Sequence, residues 1–301
     1  MRFDGSTELR GVSFARVELH GGEFSLEYQW ISHERSGISH QRSGIARERS
    51  GISHERVKAP LLVFLHEGLG SVELWRDWPQ QLCDAGGFRG LVYSRPGYGR
   101  STPRPRNEKW PVDFMHTQAR EVLPALLREV GVDAAANPPW LIGHSDGGSI
   151  ALIHAAGFPE CVAGLVVLAP HVFVEDVSIS SIERARDTYL TTDWKVKLAR
   201  YHDDPDSAFW GWNDIWLDPA FRSWNIEGIL PAITKQVLAV QGEDDDYGTM
   251  AQVDSIARHV RQAQLLKLAA CGHSPQRDQP QRVIQAALDF IARHTQHRTP
   301  E

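Results

Sequence analysis

Nine residues constrain this chain more than any others: Trp140-Leu141-Ile142-Gly143-His144-Ser145-Asp146-Gly147-Gly148. An apolar strand runs straight into G-x-S-x-G and on into a helix-forming run, Ser149-Ile150-Ala151-Leu152-Ile153-His154-Ala155-Ala156. A strand, sharp turn and helix in that order lift one serine to the rim of a sheet. The small residues two before and two after it relieve the crowding. The turn exposes the Ser145 hydroxyl to a base and aims the Asp146 backbone N–H and the helix N-terminus at developing negative charge.

A serine hydroxyl is a poor nucleophile until an imidazole takes its proton, and the imidazole needs a carboxylate to fix its tautomer. Both partners follow later strands. Gln236 to Gln241 reads as a buried strand and runs into Gly242-Glu243-Asp244-Asp245-Asp246; Leu265 to Ala270 reads as another and runs into Cys271-Gly272-His273-Ser274-Pro275. Serine, acid and histidine, each at a strand end and in that order, resemble the α/β-hydrolase superfamily, and the features cover almost the whole chain. The resemblance implies a mostly parallel central sheet with helices on both faces. It also implies a catalytic triad of Ser145, Asp245 and His273, Asp245 lying three after Gly242 in the superfamily's G-x-x-D pattern. Asp244 and Asp246 are alternatives for the acid, as are Glu175 and Asp176 in a variant of the pattern; the other carboxylates of the run read as a solvated loop with one helix N-cap.

Leu61-Leu62-Val63-Phe64-Leu65 is a continuous apolar run, as expected of a central strand buried on both faces. It ends in His66-Glu67-Gly68-Leu69-Gly70-Ser71, which resembles the family's His-Gly-x-x-Gly loop, with Glu67 where glycine is common. Aligned on the histidine, Gly68 would supply the second oxyanion N–H beside that of Asp146, with Leu69 as the alternative; His66 reads as structural. Ser94-Arg95-Pro96-Gly97-Tyr98-Gly99-Arg100-Ser101 is similar to the family's D-x-x-G-x-G-x-S loop, with Ser94 replacing the aspartate. It has neither dinucleotide-loop spacing nor a P-loop lysine, and Arg95 and Arg100 read as ion-pair formers.

Strand and helix alternate from Val57 onward, with helices read at Ser71 to Cys83 and Met115 to Val130. Two strands, Val12 to Leu19 and Phe24 to Ile31, precede them as an antiparallel edge. Between about Val172 and Ile229 the alternation stops, and helical patterns (Ile182 to Tyr189, Trp194 to His202) accompany Phe209, Trp210, Trp212, Trp216, Phe221 and Trp224. In the family a helical cap is inserted here, after the sixth strand. The expected organisation is therefore a core of residues 1–171 and 230–301 with a cap of residues 172–229. Trp210, Trp212 and Trp216 are candidates to line a substrate pocket, such pockets being mainly apolar and aromatic; the alternative is that the rings pack cap on core. Residues 31–56 carry a tandem heptapeptide, Ile31 to Gly37, Ile38 to Gly44, Ile45 to Gly51 and Ile52 to Arg56. One apolar residue in seven cannot form a coiled-coil seam and repeated Ser-Gly opposes helix, so the segment reads as a flexible polar insertion.

Composition excludes several classes. A net charge of −6 with no obvious basic excess on one face argues against a nucleic-acid partner. No apolar run approaches the roughly 20 residues of a membrane span, and Met1 to Gly5 lacks a secretory apolar core. The 3 cysteines are odd in number and far apart, as expected of reduced thiols in a cytoplasm, and no cysteine–histidine set has zinc spacing. The expected activity is hydrolysis of a small-molecule carboxylic ester with an apolar or aromatic portion, without cofactor or metal. A serine at the elbow counts against haloalkane dehalogenases and epoxide hydrolases, which resemble this fold but use an aspartate nucleophile. C–C hydrolysis of aromatic ring-fission products, and thioester or amide cleavage, are the alternatives, with a non-catalytic binding role more remote. Should Glu67 or Asp146 face the pocket, a cationic group such as that of an amino-acid ester would be favoured. Should Asp146 cap its helix or pair with an arginine, that preference disappears.

Overall fold

The apolar runs read as strands all take places in one sheet. The computed structural model describes residues 11–19, 22–32, 59–105 and 107–295, so nearly all of the heptapeptide segment 31–56 lies outside the described residues. The strands are β1 (Val12–Leu19), β2 (Gly22–Ile31), β3 (Leu61–Leu65), β4 (Arg89–Tyr93), β5 (Trp140–His144), β6 (Gly164–Leu168), β7 (Gln236–Gly242) and β8 (Ala263–Leu268). Among the described residues they form an eight-stranded sheet in the order β1-β2-β4-β3-β5-β6-β7-β8. The β1–β2 and β2–β4 pairings are antiparallel and the remaining pairings parallel, which gives the antiparallel edge expected from the sequence.

The period-2 alternation of strand side chains sorts the core into two layers. Val63 and Leu65 of β3, and Leu165 and Val167 of β6, face one cluster; Leu62, Phe64, Val166 and Leu168 face the other. Helices α1 (Trp78–Gly86) and α9 (Pro280–Thr295) cover the second face, through Leu82, Cys83, Val283 and Phe290. The first is covered by α2 (Phe114–Thr117), α3 (Leu123–Glu129), α4 (Asp146–Gly157) and α8 (Ala251–His259). Both faces of the central strands are therefore dry, which is why they read as unbroken apolar runs.

Two helices depart from their expected bounds for local reasons. The first begins as a 3-10 turn, Glu73–Trp75, then breaks at Arg76 (φ 55°). It restarts as α1 with Pro79 in its first turn and ends on Gly87 (φ 65°), the left-handed position that favours glycine. The second runs from α2 to α3 through a π-turn, Gln118–Val122, where the Leu123 N–H reaches back to Gln118 O. In that register the Ala119 carbonyl faces Pro124, which has no N–H to give. The carbonyl instead accepts from His154 Nδ1 at 2.7 Å.

Between β6 and β7 lie α5 (Asp176–Thr191), α6 (Trp194–Leu198) and α7 (Pro205–Trp216). The expected helix Trp194 to His202 stops at Leu198. His202 turns inward instead: it accepts from the Gly99 N–H at 2.9 Å through Nδ1 and donates to Leu69 O at 3.0 Å through Nε2. Burial holds its pKa down to about 4, so the ring is neutral and can both accept and donate. The insertion is thereby fastened to the loop after β3. The carboxyl ends of β3, β5, β6, β7 and β8 converge beneath it, the usual location for a site in an open parallel sheet. No helix among the described residues is long and apolar enough to cross a membrane.

Candidate active site

Ser145 follows β5 directly, at φ 53° and ψ −120°, and α4 starts at the next residue. A non-glycine residue held there stores roughly 1–3 kcal/mol of strain and persists only where its surroundings over-determine it. They do so here. The Ser145 N–H donates to Leu168 O (2.9 Å), and its carbonyl accepts from the Gly148 (2.8 Å) and Ser149 (3.1 Å) N–H groups. A Cβ on Gly143 would lie 2.3 Å from Gly147 O, and one on Gly147 would lie 2.0 Å from Leu65 O. Both contacts are with backbone, so the two glycines are what lets the turn close against β3.

From this turn Ser145 Oγ donates to His273 Nε2 at 2.9 Å. His273 Nδ1 donates in turn to both Asp245 oxygens, at 2.9 and 2.8 Å. Asp245 also accepts from the Tyr247 (2.8 Å) and Gly248 (3.2 Å) N–H groups and from Gln241 Nε2 (2.7 Å). Burial pushes the Asp245 carboxyl up, but the His273 hydrogen bond and charge and the Tyr247 N–H outweigh it. The net shift is downward and the carboxylate stays ionised. The competing carboxylates lie elsewhere. Glu175 accepts from Thr249 and Gln252, and Asp176 pairs with Arg222.

The loop after β3 is held by its carbonyl at residue 67. Glu67 O accepts from Arg95 Nη2 (2.8 Å), His66 Nδ1 (2.6 Å) and the Gly70 N–H (3.0 Å). In a trans peptide the N–H points opposite to the C=O, so pinning this carbonyl turns the Gly68 N–H the other way. Neither the Gly68 nor the Asp146 N–H enters a loop or cap hydrogen bond among the described residues, so both remain available as donors. Glu67 stands in the glycine position without a positive φ. His66 takes its structural role: its Nε2 accepts from the Arg95 N–H at 3.0 Å, and burial, then the Arg95 charge, hold its pKa well below the ordinary value.

Arg95 is fully buried and joins the two halves of the site. Besides Glu67 O it reaches the Asp146 carboxylate (3.7 Å) and lies over the Tyr98 ring (4.7 Å). Asp146 also accepts from Trp216 Nε1 at 3.2 Å. Burial pushes its carboxyl up against the opposing pull of Arg95 and that N–H. The Asp146 side chain is thus turned into the protein. Glu67 does face the cavity, but it is engaged by His144 Nδ1 (3.4 Å) and Arg277 (3.4 Å). Burial would raise its carboxyl; the hydrogen bond and charge of His144, with Arg277, bring it below the ordinary range.

The cavity above Ser145 has a volume of about 210 Å³, with Ser145, His273, Glu67 and Gly68 on its floor and Ile182, Trp212 and Trp216 from the insertion above. A Cβ on Gly68 would lie 2.2 Å from the Trp212 indole, so this glycine lets the ring approach. Trp210 does not line the cavity. On α7 it is two residues from Trp212, about 200° round the helix, and packs against Tyr189 and Phe209 (5.7 and 5.1 Å). A larger depression, about 490 Å³, lies around the C-terminal end of α4 at His154 and Phe158 and contains none of these groups.

Sequence reasoning missed His144, His171, Tyr247 and Arg277. His144 Nε2 donates to the His273 carbonyl at 2.7 Å, linking the residue before the nucleophile to the base. Only its place beside Ser145 could have signalled this. It also left open what replaces the aspartate at Ser94. The answer is Glu27 of β2, whose Oε2 accepts from Ser94 Oγ (2.6 Å) and the Arg100 N–H (3.0 Å).

An alpha/beta hydrolase family model matches residues 62–286. Serine hydrolase BPHL of Homo sapiens is 25% identical over 190 residues, 59% of this chain and 60% of that protein. Epoxide hydrolase 4 of Mus musculus is 31% identical over 120 residues, 38% of this chain and 30% of that protein. The chain therefore matches 60% or less of the length of these relatives. A thermophilic esterase from Thermogutta terrifontis, solved with malate bound, superposes with a TM-score of 0.66 at 18% identity, over 94% of this chain and 98% of that one. At that identity the likeness is one of fold.

Proposed function

The chain belongs to the alpha/beta hydrolase family, and from that premise we propose that it is a serine hydrolase cleaving carboxylic esters through an acyl-enzyme. The observation that carries the reading is the hydrogen-bonded line from Ser145 Oγ through His273 to Asp245, at 2.9 and 2.8 Å, starting from a strained turn. Ser145 Oγ attacks the ester carbonyl carbon while His273 Nε2 takes its proton. The N–H groups of Gly68 and Asp146 receive the charge that develops on the carbonyl oxygen. The tetrahedral intermediate expels the alcohol, which leaves with the proton from His273. A water molecule, deprotonated by the same imidazole, then attacks the acyl-enzyme and releases the acid. Asp245 holds the imidazole tautomer and stabilises the imidazolium in both halves of the cycle.

Residues 172–229 act as a cap over residues 1–171 and 230–301, and Trp212, Trp216 and Ile182 give the substrate an apolar, partly aromatic wall. An α-ammonium ester is disfavoured, because Asp146 faces Arg95 and Glu67 faces Arg277. The same pairing disfavours acidic ring-fission products, since Arg277, the cation on the wall, is already matched. The free thiols Cys83, Cys161 and Cys271 fit a reducing compartment such as the cytoplasm.

The test is hydrolysis of p-nitrophenyl esters from acetate to long acyl chains, wild type beside Ser145→Ala. Loss of the nucleophile of such a triad costs on the order of 10⁶ in turnover. Activity that disappears in Ser145→Ala supports the reading. Activity that survives, or a folded wild type inert towards the whole series, rejects it.

A further inference from the structure

His171 is a side chain on the cavity wall that neither the nucleophilic line nor the oxyanion loop uses. It follows β6, and Ser149 fixes its backbone from both sides: the His171 N–H donates to Ser149 Oγ (3.1 Å), which donates to His171 O (2.6 Å). The ring lies edge-on to Trp216 at 4.9 Å and 5.7 Å from the His273 ring. Its two nitrogens differ. Nδ1 is buried without a partner on the Gly248 side, where a Cβ added to that glycine would lie 3.6 Å away. Nε2 makes no hydrogen bond among the described residues and, unlike Nδ1, is not sealed from the cavity that the residue lines.

A neutral imidazole has one N–H to place. A buried N–H without a partner is rarer and costlier than a buried lone pair, so the proton belongs on Nε2 and the lone pair on Nδ1. Burial, reinforced by the charge of His273, holds the His171 pKa down to about 3. The ring therefore offers a neutral donor at neutral pH. The charged side chains beside it are matched already, Glu67 by Arg277 and His144, and Asp245 by His273.

We propose that His171 is a specificity-determining donor whose Nε2–H receives a second, neutral oxygen of the substrate, a keto or alkoxy oxygen close to the scissile carbonyl. The proposal rests on the serine-hydrolase reading above and narrows its substrate class to oxygenated acyl esters.

The test uses two esters that differ by one oxygen for one methylene, p-nitrophenyl methoxyacetate and p-nitrophenyl butanoate. Their kcat/KM ratio is corrected by their alkaline hydrolysis rates. Wild type favours the methoxyacetate by roughly five- to tenfold, the worth of one neutral hydrogen bond. His171→Phe brings the ratio to about 1, and His171→Gln, which keeps an N–H donor, retains part of it. A ratio unchanged in both variants overturns the proposal, because a merely structural ring would lower both esters alike. A second measurement is independent of turnover and of whether His171→Phe folds. In ¹⁵N-histidine-labelled Ser145→Ala, the His171 signals (assigned by their loss in His171→Gln) should show the proton on Nε2, with a shift on adding the methoxyacetate but not the butanoate. A proton on Nδ1, or equal responses to the two esters, overturns it. If wild type cleaves neither ester, the serine-esterase reading fails by itself and the nitrogen shifts decide the role of His171.

Discussion

Replacing Arg95 with methionine removes a buried cation while roughly keeping its volume. At 3.7 Å from Asp146, a unit-charge pair at an effective dielectric of about 20 interacts by about 4.5 kcal/mol. Removing one partner of a buried pair strands the other, which costs about 3–5 kcal/mol. Arg95→Met should therefore destabilise the fold by about that much at pH 7 in urea unfolding. Asp146→Asn alone should cost less, because the Trp216 N–H keeps an acceptor and Arg95 keeps the Glu67 carbonyl. In the double variant no carboxylate is stranded, so the coupling across the cycle should be about 2–4 kcal/mol. The pH dependence carries a sign. Burial already pushes the Asp146 carboxyl up, and losing Arg95 pushes it further. A group with a raised folded-state pKa loses its contribution as pH rises, so the penalty of Arg95→Met should shrink towards pH 5. The slope from Asp146 is at most about 1.4 kcal/mol per pH unit. His66 adds to it with the same sign, because losing the Arg95 charge relieves part of the downward pull on its pKa, whereas histidines away from Arg95 are common to both proteins. Turnover should fall by roughly tenfold or more, because Arg95 also pins the peptide that carries the Gly68 N–H. A coupling below about 0.5 kcal/mol at pH 7 would refute the buried ion pair.

Three further outcomes follow from the same structure. Asp245→Asn keeps an acceptor for the Tyr247 and Gly248 N–H groups but sets its NH2 against Gln241 Nε2, so it should cost about 1–3 kcal/mol of stability in urea unfolding while lowering kcat by about 10⁴ on p-nitrophenyl esters. Gly147→Ala forces a methyl to within 2.0 Å of Leu65 O, and urea unfolding should show a loss of about 3 kcal/mol or more. His202 is held down to about 4 against an ordinary 6.5, so its contribution to stability is full above pH 6.5 and is lost as the pH falls. Between about pH 6 and about pH 4.5 the His202→Phe variant should lose stability less steeply than wild type, by about 1.4 kcal/mol per pH unit. Equal slopes in denaturant titrations would contradict this.

What could be read from the sequence was whatever a strand and its following turn encode together. Ser145, Asp245 and His273 each sit within five residues of an apolar run, so their placement at one edge of the sheet follows once the runs are strands. The mostly parallel sheet and its antiparallel edge came from the same local patterns. Partnerships across the fold could not be read this way. The carboxylate missing at Ser94 arrives from Glu27, 67 residues earlier, and Glu67 meets Arg277, 210 residues later. Nothing in the spacing of either pair announces the contact. Within the aromatic cluster helix phase separates the rings: Trp212 and Trp216 are one turn apart and share a face, which Trp210 does not. The break before α1 was legible in principle, since Pro79 marks a helix start.

The most direct test of the central claim is to treat the native enzyme with a p-nitrophenyl alkylphosphonate and locate the adduct by peptide mass spectrometry. The phosphorus takes the place of the carbonyl carbon and the adduct cannot be cleared by water at a comparable rate. The account predicts one adduct per chain, on Ser145, together with loss of all esterase activity. A fully modified enzyme bearing its adduct on any other residue, or a folded enzyme that takes up none, would contradict it.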